Sequence, residues 1–203
     1  MSVKRVGRPR QESLDGAILD ATASIVESRG YGALSIEAVA VAAGTTRATV
    51  YRRHPSVAEL VISTLADRFG TDPGVDTGTL EGDLLAIQRH RLVLFSHPLI
   101  VRGLPGLIDA LSRQPVVAES FSRDFLAPRR RATTRAVERA VARGELSGDP
   151  DAEWISDLLT GPLLMRALLP GLQPIDEPLI ERTVRSALRA LAANGGVPPA
   201  GGG

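Results

Sequence analysis

The stretch Ser35–Leu60, SIEAVAVAAGTTRATVYRRHPSVAEL, decides the fold. Ile36, Val39 and Ala40 make an i, i+3, i+4 stripe, which predicts a short helix, and Ser35 stands where a side-chain oxygen caps its first turn. Ala43 and Gly44 close it, because glycine enters the left-handed region without a Cβ clash and turns the chain sharply. A second helix is predicted from about Thr46 to Arg53, with Val50 available for packing. Pro55 stops it, and Ser56 with Glu59 forms an S-x-x-E capping box that opens the next helix. Two helices joined by a short turn containing Gly describe a helix-turn-helix. The polar face of the second helix is distinctive: Thr46, Arg47, Thr49, Tyr51, Arg52 and Arg53 fall within eight residues and include no carboxylate. Donors of one sign packed this densely suit a DNA major groove, where side chains meet phosphates and base edges.

These residues also carry a family resemblance. The run AxxAGTTRATVYRRHPSxAEL is similar to the DNA-binding signature of the TetR (tetracycline repressor) family, in which a small residue, AG, a polar tripeptide, T-hydrophobic-Y and an aromatic precede P-S/N-K-x-x-L. The preceding ILDATASIVESRGYGALS, Ile18–Ser35, resembles that family's first helix and loop. Two residues depart from the pattern. His54 replaces an aromatic that packs the recognition helix onto the next one, and Val57 replaces a phosphate-contacting Lys, so that contact is not carried over. AVERAVARGEL at Ala136–Leu146, followed by DPD, resembles a C-terminal subfamily of TetR-type regulators, with less specific residues.

The resulting candidate DNA contacts are Ser35, Thr46, Arg47, Ala48, Thr49, Tyr51, Arg52 and Arg53, together with Arg5, Arg8 and Arg10 of the polar N-terminal segment. Arg47 and Thr49 lie nearest the helix start, with Tyr51 a turn later, and are best placed for base edges. The N-terminal segment predicts a cationic arm that follows phosphates or a minor groove. A solvated terminus is the alternative.

Charge is distributed accordingly. Residues 1–54 hold eight Lys/Arg against five Asp/Glu, and the remaining 149 hold sixteen against eighteen. A basic module on a slightly acidic body fits a protein that touches DNA with one end. A nucleoid protein binding DNA without sequence preference would be basic throughout. An all-α enzyme, the other alternative, needs a nucleophile–base pair, paired carboxylates or a metal cluster. The chain has no Cys, three scattered His and no Gly-rich phosphate loop, so no catalytic residue, cofactor or metal is expected. His90 and His97 are seven apart on one helix face, but a metal site takes three or four ligands. No apolar run approaches a bilayer span and the N-terminus lacks an apolar signal core, which predicts a cytoplasmic protein with no membrane partner.

Helical spacing dominates throughout, so the predicted class is all-α: an N-terminal three-helix helix-turn-helix domain and a larger helical body for ligand binding and dimerisation, about nine helices in all. The divisions are an arm at 1–11, the reading domain at 12–55, a connecting helix at 56–70, the body at 79–194 and a disordered tail at 195–203. Helix one is predicted from about Glu12, and Tyr31 is read as a core residue anchoring the loop after it. Pro105-Gly106 is read as disturbing a helix from about Leu99 to Leu111. Asp149-Pro150 reads as the N-cap and first residue of the penultimate helix. Arg129, Arg130 and Arg131 form a run that points around its helix as a solvated face; no effector-binding residue is assigned. The last two helices are broadly apolar. The resemblance implies that they meet the same pair of a second subunit in a four-helix bundle, with Trp154, Leu158, Met165, Val184 and Leu188 at the interface. Internal core is the alternative. The resemblance also implies a ligand-responsive repressor acting on double-stranded, palindromic operator DNA as a homodimer, with an unidentified small-molecule effector.

Overall fold

The computed structural model describes residues 8–70 and 74–193, and among these residues the regular secondary structure is helical, with no strand. The expected tail, Arg5 and the rest of the first seven residues lie outside them. The all-α class is confirmed. In chain order the helices are α1 (Arg8–Arg29), α2 (Ile36–Ala42), α3 (Arg47–Arg53), α4 (Val57–Phe69), α5 (Leu80–Ser96), α6 (Pro98–Arg113), α7 (Pro115–Phe121), α8 (Ala127–Ala142), α9 (Ala152–Leu168) and α10 (Glu177–Ala193). A 3₁₀ turn, Tyr31–Ala33, follows α1, and a π-helical turn, Ser122–Leu126, joins α7 to α8.

Two compact units are formed, and the chain passes between them more than once. One unit combines the chain up to Gly70 with Pro98–Phe125, and the other combines the stretch ending at His97 with the chain from Leu126 onward. The 79–194 division is therefore crossed by α6 and α7, which pack with α1 and α4. Short-range periodicity carries no trace of such a return.

In the first unit Ile18, Ile25, Val26, Val39, Val50, Leu60, Val61 and Leu65 are buried, as their helical spacing requires. The loop after α1 is fixed differently from the sequence reading. Tyr31 is half-buried and lies against Gly106 of α6, where a Cβ would run into its ring. Gly106 thus serves as a bed for the Tyr31 ring, and α6 continues through Pro105. Arg102 ties the same end of α1 down, donating to the carbonyls of Glu27 (2.6 Å) and Ser28 (3.1 Å).

The second unit is built from α5, α8, α9 and α10 around Leu84, Ile87, Val137, Ile155, Leu159, Val184 and Leu191. Polar groups inside it are largely satisfied by hydrogen bonds, as burial demands. Gln88 Nε2 donates to the Leu159 carbonyl (3.0 Å) and to Thr183 Oγ1 (2.7 Å). The buried Arg91 donates to Thr133 Oγ1 (3.0 Å), Thr160 Oγ1 (3.2 Å) and the Arg129 carbonyl (3.1 Å). At the start of α5, Asp83 is fully buried and accepts from the Thr77 N–H (2.7 Å) and from Arg139 (2.8 Å). Burial pushes its carboxyl up, but those donors outweigh burial and hold it below the ordinary carboxylate value.

Several local expectations need correcting. α1 starts at Arg8, so Arg8 and Arg10 belong to its first turns and not to an arm; Pro9 is tolerated there because first-turn N–H groups have no intrahelical partner. The cap of α9 is Asp151, which accepts from the Trp154 N–H (2.9 Å), and not Asp149. The run Arg129–Arg131 is not a uniformly solvated face. Arg129 is buried, and Arg130 reaches from α8 to Glu153 and Asp157 of α9.

Candidate nucleic-acid interface

α2 starts at the cap that the sequence predicts, and α3 starts at a cap, Thr46, that the sequence reading places only on the polar face. Ser35 Oγ accepts from the Ala38 N–H (3.1 Å) and Thr46 Oγ1 from the Thr49 N–H (3.2 Å), each satisfying a donor left open in a first helical turn. Between the helices Gly44 has φ of +62°, the left-handed turn expected of it, and the Thr45 N–H returns to the Ala40 carbonyl (2.8 Å). Ser56 caps α4 through the Glu59 N–H (3.1 Å).

With only seven residues, α3 buries just Val50 completely. The side chains facing solvent are Arg47, Ala48, Tyr51 and Arg52, with Thr46 ahead of them. Tyr51 is 61% exposed and the Arg47 side chain 71%. Among the described residues Arg47 pairs with Glu37 of α2, at 3.6 Å, an exposed pair that is worth little and yields readily to a phosphate or a base. Glu37 is the carboxylate of this face, contributed by the neighbouring helix. Recognition of a guanine by Arg47 would use two parallel donors on O6 and N7.

Two candidates behave otherwise. Arg53 turns inward, its side chain 16% exposed, and forms an ion pair with Asp15 of α1. Its charge is paired with that carboxylate, which holds α3 against α1 and gives Arg53 a positioning role. Thr49 is half-buried, and its hydroxyl bonds to that of Thr46 (2.9 Å) at the helix start. The most exposed residues of the candidate face are Arg47, Ala48, Tyr51 and Arg52, with Ser35 and Thr46 exposed at the helix starts. Asp15 was invisible to motif reading because it lies 38 residues from its partner.

His54 ends α3, its N–H donating to the Val50 carbonyl (2.9 Å). Burial pushes its imidazole below the ordinary value; Asp15 and Glu59 pull the other way, and Arg53 adds to the lowering. At neutral pH it is a neutral, half-buried ring in the position the family pattern gives to an aromatic.

On the opposite side of function, Trp154 and Met165 of α9 are 49% and 55% exposed, and Leu158 and Leu188 are half-buried. Val184 is 1% exposed in the core of its own unit, which removes it from the predicted interface. Among the described residues no single helix is long and apolar enough to cross a membrane.

Comparison with known proteins agrees with this construction. The family described as "Bacterial regulatory proteins, tetR family" matches residues 18–64, and "Tetracyclin repressor-like, C-terminal domain" matches residues 75–187. The DNA-binding transcriptional repressor TetR of Mycobacteroides abscessus is 30% identical, the match covering 92% of this chain and 97% of that one. The HTH-type transcriptional regulator YdeS of Bacillus subtilis is 28% identical over 95% of this chain and 96% of its own. Among solved structures, the flavonoid-responsive regulator FrrA superposes with a TM-score of 0.67 at 26% identity, covering 94% of this chain and all of that one. With a capped helix-turn-helix, a cationic outer face on α3 and both halves of the family pattern in place, the chain belongs to the TetR family and is a DNA-binding transcriptional regulator.

Proposed function

We propose that the protein is a homodimeric cytoplasmic repressor, without enzymatic activity, that grips a palindromic operator with α3 of each protomer and releases it when a small molecule binds the C-terminal body. The observation that carries this reading is the double-faced character of α9. Ile155, Leu159 and Leu163 fill the core, yet Trp154, Leu158 and Met165 form a second apolar stripe that none of the described elements fully covers. An exposed apolar stripe of this kind marks an association surface. A two-fold dimer through α9 and α10, with Leu188 beside that stripe, presents two reading helices to two half-sites. One seven-residue helix alone reads too few base pairs for a specific site. The flavonoid-responsive regulator among the similar structures supports an effector-responsive body.

Met165→Glu tests the reading, because Met165 is exposed in one chain and would be buried in the dimer. On association the new carboxylate has no partner. The variant is expected to keep its circular dichroism, sediment as a monomer and lose tight binding to an operator selected from random duplexes. A folded, dimeric variant with unchanged operator affinity would falsify this interface.

A further inference from the structure

Ile36, Arg47, Ala48 and Tyr51 enclose an open notch of about 360 Å³ on the reading face, lined almost wholly by carbon. Ala48 is exposed and has no donor or acceptor in its side chain. Ile36 comes from the first turn of α2, while Arg47 and Tyr51 stand one turn apart on α3 and flank Ala48. An apolar hollow in the middle of a cationic helix face has a restricted set of partners in a major groove. Of the base edges there, thymine presents an apolar group, its C5-methyl.

We propose that this notch receives a thymine methyl group, and that Ala48, walled by Ile36 and the Tyr51 ring, is the residue that selects it. The proposal rests on α3 being the DNA-reading helix. Arg47 at the rim supplies the charge complementarity that brings the duplex edge to the notch, and its guanidinium is available because its Glu37 pair is exposed and weak. Tyr51 contributes ring carbons to the wall while its hydroxyl is free to meet the backbone.

The test changes the DNA before the protein. An operator is selected from random duplexes with the full chain, and each thymine is replaced in turn by deoxyuridine, which removes the methyl group alone. At one position per half-site, uracil is expected to weaken binding about fourfold, the worth of one buried methyl group, and roughly tenfold to twentyfold when both half-sites carry it. Restoring bulk at that carbon with 5-bromouracil should recover most of the loss. Ala48→Gly, which opens the notch, should bind more weakly and become indifferent to the same uracil. A selected operator bound with unchanged affinity after every uracil replacement overturns the notch while leaving α3 as the reader. An unchanged uracil penalty in Ala48→Gly overturns Ala48 as the selector. A pool that yields no preferred sequence overturns the reading of α3, and the notch with it.

Discussion

α3 and α9 make opposite use of their residues. α3 has seven residues, buries one of them completely and leaves Arg47, Ala48, Tyr51 and Arg52 outside. α9 has 17 residues and buries Ile155, Ser156, Leu159 and Leu163. Its stability comes from packing, whereas α3 is held by a cap, by Val50 and by the Arg53–Asp15 pair. A reading helix of this design leaves its outer side chains nothing to do for folding. They can therefore be chosen for the DNA alone, and the fold depends on a few anchors beneath them.

That contrast can be broken from either side. Leu159→Ala removes a fully buried side chain from the second unit and should cost about 2–5 kcal/mol of stability, read as a lowered urea midpoint. Operator affinity per folded molecule should stay as it was. Arg47→Ala should do the reverse. It is expected to lose about 1–3 kcal/mol of operator affinity and to relax preference at one half-site position, with no change in the urea midpoint. Uniform weakening across sequences would instead make Arg47 a phosphate contact.

Asp15→Ala sharpens the comparison, because Asp15 lies on α1, outside the candidate recognition helix, yet holds α3 through Arg53. It leaves the half-buried Arg53 without its carboxylate, between the limits of exposed and buried pairs, and should cost roughly 1–2 kcal/mol of stability. Operator affinity should fall with it. Unchanged affinity in a folded variant would mean that α3 keeps its angle without this pair.

The smallest expected effect concerns His54. Because burial lowers its folded value, the stability it contributes is whole above the ordinary value of 6.5 and is lost as pH falls through the lowered one. Urea midpoints of the wild type should therefore drop more between about pH 7.5 and about pH 5.5 than those of His54→Phe, which has no proton to take up. Equal drops would show that another group governs the acid limb.

Caps, turns and helical spacing were legible in the chain itself. Ser35, Gly44 and Ser56 act over three or four residues, and the cationic face of α3 follows from a seven-residue pattern. These are local interactions, fixed by chain geometry whatever surrounds them. What the sequence left open were choices between equivalent partners. Periodicity marks Val184 and Met165 alike as apolar, yet the former lies in the core of its own unit and the latter is exposed. Composition counts Arg47 and Arg53 alike as cationic, yet only Arg53 finds Asp15, 38 residues back along the chain. Pro105-Gly106 reads as a break until Tyr31 is seen lying against the glycine. Such choices belong to the tertiary structure, because burial and pairing depend on which distant segments meet, and no short-range pattern encodes that distance.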